Sequence, residues 1–235
     1  MGSCLVEQFA STGYNVIFSY NNSLSKAKEI QEKYTDSEAD VKAFHLNLSE
    51  ASSVDEFFSR INDSTHDLEV LVNNAAYTKN IDEDDIIDIA EEELSEIMNA
   101  NIRGTILCMN RFLQFIKKSN AGTKSDIVNI SSNSVLTLNA SNLVYIACKA
   151  AVENLTQSYG KHFGHLARIN CVAPGLMISG ITKESPEARF VKVQEATPLG
   201  RLCTPSDVSE TVCSIVNNLT FINGQVITVD GGRTL

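Results

Sequence analysis

Short apolar runs rich in β-branched residues alternate along the chain with segments that have the spacing of amphipathic helices. We predict that these runs are strands, because β-branched side chains favour extended backbone and a buried parallel strand is apolar on both faces. The predicted strands are NVIFSY, VKAFHL, LEVLVNNAA, IVNI, ARINCVA and GQVITVD. Strands that alternate with helices predict an α/β fold of the Rossmann-like, doubly wound class, with a parallel sheet covered by helices on both faces.

Length and charge narrow the classes of protein that this chain can be. Its 235 residues can bury a full core, and because no linker or repeat divides them we expect one domain over residues 1–235. The net charge of −10 argues against nucleic acid or an anionic membrane as a partner. No apolar run approaches the roughly 18 residues of a membrane span, and no signal peptide opens the sequence. The expected location is therefore the cytoplasm.

Cysteines and histidines give no indication of a metal site. The six cysteines lack any C-x-x-C spacing, and the four histidines are neither paired at i, i+4 nor near a cysteine cluster. Four of the six lie inside apolar runs. We expect these four to be small buried side chains in a reducing compartment.

The segment from 127 to 155 carries the strongest chemical pattern in the sequence. Its apolar strand stops at Ser131 and Ser132, and an amphipathic helix that begins near Asn142 carries Tyr145 and Lys149. Residues four apart project from one face of a helix, so an ammonium would lie beside a phenol and is expected to lower its pKa. Such a tyrosine can give a proton to a carbonyl oxygen or take one from an alcohol. A serine at the strand end could hydrogen-bond the same oxygen.

A Tyr-x-x-x-Lys pair alone is a weak motif, and an exposed pair on a helix surface is the ordinary alternative. Small or polar residues follow several predicted strands, at the sheet edge where ligands bind in this architecture. These pairs are Asn21–Asn22, Asn47–Leu48, Asn74–Ala75, Ser131–Ser132 and Pro174–Gly175. Turn formation accounts for any one of them, but it accounts poorly for the whole set.

A series of motifs, in order along nearly the whole chain, resembles the short-chain dehydrogenase/reductases and, within them, the β-ketoacyl carrier-protein reductase-like group. The matching pieces are LVNNAA (71–76), NANIRG (99–104), IVNISS (127–132), YIACK (145–149), RINCVAPG (168–175), PLGR (198–201) and NGQVITVDGG (223–232). The resemblance implies an oxidoreductase that transfers a hydride between NADP(H) and a carbonyl or alcohol substrate. It also implies a homo-oligomer, a tetramer, paired through helices near 90–118 and 143–163 and through the C-terminal segment.

By this resemblance, four residues occupy the catalytic positions of the family. Tyr145 would be the acid/base and Ser132 the donor that positions the substrate oxygen. Lys149 would lower the tyrosine pKa and bind the nicotinamide ribose, and Asn101 would hold a water molecule in the proton relay. The twelve residues that separate Ser132 from Tyr145 match the family spacing.

The resemblance also implies which residues contact the cofactor. Asn74 and Ala75 would line its adenosine side, while the backbone around Gly175 and Met177, with the Ser179 hydroxyl, would meet the nicotinamide amide. The implied positions are Gly2, Tyr20, Asn21, Asn22, Asn47, Leu48, Asn74, Ala75, Tyr145, Lys149, Pro174, Gly175, Met177 and Ser179.

The end of the second family strand, at Tyr20 here, bears on the choice of nicotinamide cofactor. Enzymes that prefer NAD typically hold the ribose 2′-hydroxyl with Asp or Glu at this position. No carboxylate stands at 20–23, and the nearest base is Lys26. We therefore expect a modest preference for NADP(H), with NAD(H) also accepted.

The sequence departs from the family pattern at Asn47, where the family has Asp, and at its start. Met1 and Gly2 align with the last two positions of the glycine-rich loop that follows the first family strand. Either the sequence given lacks roughly fifteen residues, which we favour, or the protein has an unusual N-terminus. Without that central strand, two neighbouring strands would lack a partner, part of the core would open and cofactor binding would weaken. The alternative function is a non-catalytic or cofactor-impaired relative that serves as an oligomeric or binding module.

Overall fold

The computed structural model describes residues 1–64, 67–81, 85–119, 125–178, 182 and 187–235. The strands are β1 (Val16–Tyr20), β2 (Val41–His45), β3 (Val70–Asn73), β4 (Ser125–Ile130), β5 (Ala167–Pro174) and β6 (Val226–Val229). The α-helices are α1 (Gly2–Ser11), α2 (Leu24–Glu32), α3 (Ala51–Ser64), α4 (Glu91–Met98), α5 (Gly104–Ser119), α6 (Ser134–Thr137), α7 (Leu143–Phe163), α8 (Glu187–Glu195) and α9 (Pro205–Asn217). A 3₁₀ turn (Asp85–Asp88) precedes α4, and a π-helical turn (Asn99–Arg103) joins α4 to α5.

All the strands pair in parallel, as expected for strands that are joined through helices, but they form two sheets. β1 pairs with β2, and β3, β4, β5 and β6 follow one another in a second sheet. Val16 lies opposite Val41 in the first sheet, and Val70 lies opposite Asp126 in the second. The predicted Rossmann-like α/β class is thus confirmed, with its strands divided between two parallel sheets.

A cavity of about 1500 Å³ is lined by both β1 and β3. Within the described ranges, β1 pairs only with β2 and β3 only with β4, so one backbone edge of each strand is free of sheet pairing. Residues of both strands nevertheless share the apolar clusters above and below the cavity: Ile17 and Leu71 on one side, Val16 and Val70 on the other.

Two further helices border the site region along the chain. The stretch from 176 to 200 contains α8, which buries Val193. The helix α4 begins at Glu91. Three glutamates fill the first turn of α4, where the positive end of the helix dipole favours carboxylates.

A buried ion pair links the second sheet to the helix packed on it. Arg168 of β5 lies opposite Asp126 of β4 and donates to its Oδ2 at 2.7 Å. The same guanidinium donates to the carbonyl of Val216 in α9 at 2.9 Å. Burial raises the pKa of Asp126, and the adjacent guanidinium opposes that rise. The carboxylate is therefore tolerated in the core because Arg168 accompanies it.

Replacement of Arg168 by Met should destabilise the protein markedly, because the carboxylate of Asp126 would remain buried without a counter-charge. We expect the free energy of unfolding to fall by about 3–5 kcal/mol. Urea unfolding followed by circular dichroism measures it. Arg111→Met is the matched control, since Arg111 pairs with Asp55 at the surface, where such pairs contribute about 0–1 kcal/mol. Equal losses in the two variants would contradict the prediction.

Candidate active site

The N-terminal turns of α7 bring Tyr145 and Lys149 together on one face. Asn142 is the N-cap residue of this helix and accepts a hydrogen bond from the backbone N–H of Tyr145 at 2.7 Å. The Nζ of Lys149 lies 5.5 Å from the centroid of the Tyr145 ring, within cation–π distance. The two side chains that the sequence analysis paired are therefore neighbours in the structure.

The ammonium of Lys149 is buried and has a backbone partner. Its Nζ donates to the carbonyl of Ile130, the last residue of β4, at 2.8 Å. Burial lowers the pKa of Lys149 from 10.5 to about 8, because desolvation penalises the charged form. This bond joins the end of β4 to the face of α7 that carries Tyr145.

The pKa of Tyr145 is raised in this structure, whereas the sequence pattern predicted that Lys149 would lower it. Burial raises the pKa of Tyr145 to about 12, and Cys148 adds to the rise. The ammonium of Lys149 sits over the phenol ring and is bound to the carbonyl of Ile130. Desolvation of the phenol therefore outweighs any stabilisation of the phenolate by the lysine.

Ser132 lies just beyond β4, and the residue before it ties this strand end to α7. The Oγ of Ser131 lies 3.2 Å from the carbonyl oxygen of Lys149 and 2.8 Å from the Glu153 carboxylate, and its single hydrogen can be donated to either. The Oγ of Ser132 accepts a hydrogen bond from the N–H of Ser134 at 3.1 Å. A hydroxyl that accepts from the protein keeps its own hydrogen available for an acceptor such as a substrate oxygen.

Asn101 lies in the π-helical turn, where its side chain is almost completely buried. Its Nδ2 donates to the carbonyls of Ile97 at 2.8 Å and Tyr77 at 2.6 Å. Its Oδ1 accepts from the N–H of Tyr77 at 3.3 Å. The side chain of Asn101 thus binds the backbone of the segment that follows β3.

Eight of the predicted cofactor-binding positions line the cavity between β1 and β3. These eight, called the adenosine-side positions below, are Gly2, Tyr20, Asn21, Asn22, Asn47, Leu48, Asn74 and Ala75. The predicted positions Tyr145, Lys149, Pro174, Gly175 and Met177 are not in its lining. Ser179 lies outside the described residues. The structure therefore groups the adenosine-side positions around one cavity and leaves the nicotinamide-side positions apart from it.

Two features of this cavity suit a dinucleotide. The Oδ1 of Asn74 is buried and has no hydrogen-bond partner among the described residues, so it can accept a hydrogen bond from a ligand. A Cβ at Gly2 would come within 3.2 Å of the Asn74 amide nitrogen, so glycine allows the start of α1 to lie close to β3. The backbone N–H groups at a helix N-terminus favour a phosphate.

Two of the predicted cofactor positions have structural roles within the protein itself. Asn47 accepts from the N–H of Ser49 at 3.1 Å and donates to Glu50 at 2.8 Å, so its amide stabilises its own turn. Gly175 donates to the carbonyl of Val229 at 2.9 Å, and a Cβ there would approach Asp230 Cα to 3.0 Å. Packing against β6 alone is a sufficient reason for glycine at position 175.

Known proteins similar to this chain cover nearly all of it. A family model described as enoyl-(acyl carrier protein) reductase matches residues 1–234. The chain belongs to this family, within the short-chain dehydrogenase/reductases. The 3-oxoacyl-[acyl-carrier-protein] reductase FabG of Staphylococcus aureus (strain Mu50) is 27% identical over 99% of this chain and 93% of its own length. The enzyme of the same name from Aquifex aeolicus (strain VF5) is 30% identical over 99% and 92%.

A solved structure supports the fold. The 3-ketoacyl-(acyl-carrier-protein) reductase from Brucella melitensis, complexed with NADH, has a TM-score of 0.89 and 22% sequence identity. It matches 100% of this chain and 93% of its own. The family and the enzyme class that the motifs predicted, a short-chain dehydrogenase/reductase, are therefore confirmed. In the part of the chain that the structure describes, no helix is both long and apolar enough to span a membrane.

Asn142 is the main site residue that the sequence analysis left without a role. Its backbone position was recognised as the start of a helix, and Asn is a favoured N-cap residue, so the capping bond to Tyr145 was foreseeable. Its further bonds, to Thr78 at 3.0 Å and to the carbonyl of Lys79 at 2.7 Å, join it to a distant segment. No local pattern in the sequence indicates such a contact.

The lowered pKa of Lys149 predicts a pH-dependent contribution to stability. Between its folded pKa of about 8 and its ordinary value of 10.5, the unfolded chain binds more protons, so stability rises with pH in this window. Lys149→Met removes this contribution. The quantity to follow is the difference in unfolding free energy, wild type minus variant. This difference should increase by about 2 kcal/mol from about pH 7 to about pH 9.5.

Chemical unfolding at several pH values measures this difference, and groups common to both proteins cancel in the subtraction. Lys161→Met, at an exposed position of the same helix, is the matched control. The same pH trend for both variants, or a Lys149→Met difference independent of pH, would contradict the prediction.

Proposed function

We propose that the chain reduces a carbonyl substrate with NADP(H), and that Tyr145 donates the proton while Lys149, Ser132 and Asn101 support the reaction. The observation that carries the proposal is the neighbouring Tyr145 and Lys149 at the start of α7, tied to the strand end that presents Ser132, in a chain of this family. The bound nicotinamide supplies the hydride, and the protein supplies position and the proton.

In the reductive direction Tyr145 acts as the proton donor. A phenol with a raised pKa is protonated near neutral pH, so it has a proton to give to a carbonyl oxygen that gains negative charge. The Oγ of Ser132 donates to the same oxygen, and Asn101 holds the backbone that borders the site.

The substrate class that we propose is a 3-oxoacyl thioester. The support is the name shared by the relatives from Staphylococcus aureus and Aquifex aeolicus, which cover nearly the whole chain. For this chain, 3-oxoacyl thioesters are thus the first substrates to assay.

A cofactor-impaired relative that acts as a binding module is the second candidate. The observation in its favour is that β1 and β3, whose ends flank the adenosine-side positions Asn74 and Gly2, share no sheet pairing within the described ranges. A titration of NADPH fluorescence separates the two candidates. Absence of NADPH binding at millimolar cofactor would leave the binding module as the better proposal.

Tyr145→Phe should remove most of the turnover while folding and NADPH affinity stay close to those of the wild type. The change deletes only the proton donor, and loss of a general acid costs about 10²- to 10⁴-fold. Acetoacetyl-coenzyme A, a short 3-oxoacyl thioester, is the test substrate. Tyr159→Phe is the control, because it deletes a phenol oxygen on the same helix, hydrogen-bonded to Asn110. Wild-type turnover in Tyr145→Phe would refute the mechanism.

NADPH should bind about ten- to a hundredfold more tightly than NADH. The residues from Tyr20 to Ser23 present no carboxylate to repel a 2′-phosphate, and one or two hydrogen bonds to a charged group give a preference of about this size. Dissociation constants for the two cofactors measure it. Asn21→Asp should reverse or abolish the preference, with Asn21→Ser as the uncharged control. Tighter NADH binding by the wild type would show that this segment was wrongly assigned.

A further inference from the structure

The segment that follows β3 lies between two buried asparagines. At its start, the backbone of Tyr77 is held by the side chain of Asn101 through bonds of 2.6 and 3.3 Å. At its other end, the side chain of Asn142 reaches Thr78 and Lys79. The N–H of Ile81 also donates to the carbonyl of the residue before Asn142, at 3.0 Å. Residues 77–81 therefore connect the π-helical turn to the start of α7.

Asn142 makes two kinds of bond at once. Its Oδ1 accepts from the N–H of Tyr145 at 2.7 Å and so caps α7. Its Nδ2 donates to the Oγ1 of Thr78 at 3.0 Å and to the carbonyl of Lys79 at 2.7 Å. The residue is only 5% exposed, so these bonds have little competition from water. An amide is required, because Asp accepts but cannot donate and Ala does neither.

We propose that Asn142 is a positioning residue for Tyr145. The capping bond stabilises the conformation of the first turn of α7. The bonds to residues 78 and 79 hold that turn in place against the segment that follows β3. The orientation of the phenol depends on that turn, and misplacement of a reacting group by about 1 Å can cost on the order of 100-fold in rate. The inference rests on the proposed function, in which Tyr145 is the proton donor.

The cap and the bonds to residues 78 and 79 can be separated by substitution. Asn142→Asp keeps the acceptor for the N–H of Tyr145 and loses the two donated bonds, whereas Asn142→Ala loses all three. Asn139→Ala is the matched control, because Asn139 is an exposed asparagine in the same connection. Circular dichroism and thermal unfolding establish that each variant is folded at the assay temperature.

Hydrogen exchange at the Tyr145 amide and steady-state kinetics with NADPH and acetoacetyl-coenzyme A supply the readouts. In Asn142→Ala we expect Tyr145 exchange about tenfold faster and kcat at least about tenfold lower. In Asn142→Asp we expect near wild-type exchange at Tyr145 but a lowered kcat. KM for the thioester and Kd for NADPH should stay within about threefold of the wild type in both variants, because position affects the chemical step.

Three results would overturn the inference. Wild-type kcat in Asn142→Ala would remove the positioning role. Wild-type kcat in Asn142→Asp would reduce the role to capping alone. A parallel loss of kcat and NADPH affinity in both variants would indicate a general structural role. If the wild type does not reduce acetoacetyl-coenzyme A, the proposed substrate class fails, and Tyr145 exchange in the two variants still decides whether Asn142 fixes this turn.

Discussion

The site depends above all on the buried ammonium of Lys149 and its bond to the carbonyl of Ile130. A charged group in the core is costly, and the depressed pKa of this lysine reflects that cost. The bond nevertheless fixes α7 against the end of β4. The strand end that leads to Ser132 and the helix that carries Tyr145 are therefore held in a fixed relation to each other. Ser131 reinforces the same junction through the carbonyl of Lys149. The fold thus accepts the cost of a buried ammonium at the junction where the candidate site residues meet.

Much of the fold was predictable, because most strands are short apolar runs and most of the helices have an apolar face. The juxtaposition of Tyr145 and Lys149 was predictable too, since helical spacing alone places them together. The pKa of Tyr145 was not, because it depends on how deeply the phenol is buried, and burial comes from tertiary packing. For the same reason the sequence could not indicate that Asn142 bonds to Thr78, which is distant along the chain.

The raised pKa of Tyr145 changes how the Tyr–Lys pair is understood. From the sequence, we expected the lysine to lower the pKa of the tyrosine and so to favour the phenolate. In the structure the ammonium of Lys149 donates to the carbonyl of Ile130 and the pKa of Tyr145 is raised, so the contact that the structure shows for the lysine is one that holds α7 against the end of β4. The proposed proton donation requires the phenol in a fixed position, and the capped start of α7 contributes to that.

The two sheets are joined by side-chain packing rather than by hydrogen bonds between strands. No sheet pairing joins β1 and β3 within the described ranges. Leu5 and Phe9 of α1 pack in the same cluster as Val16 of β1 and Val70 of β3. The start of α1 and the residue after β3 line the cavity between these strands. Packing under α1, rather than a backbone ladder, therefore sets the separation of the start of α1 from the end of β3, where adenosine-side contacts are predicted.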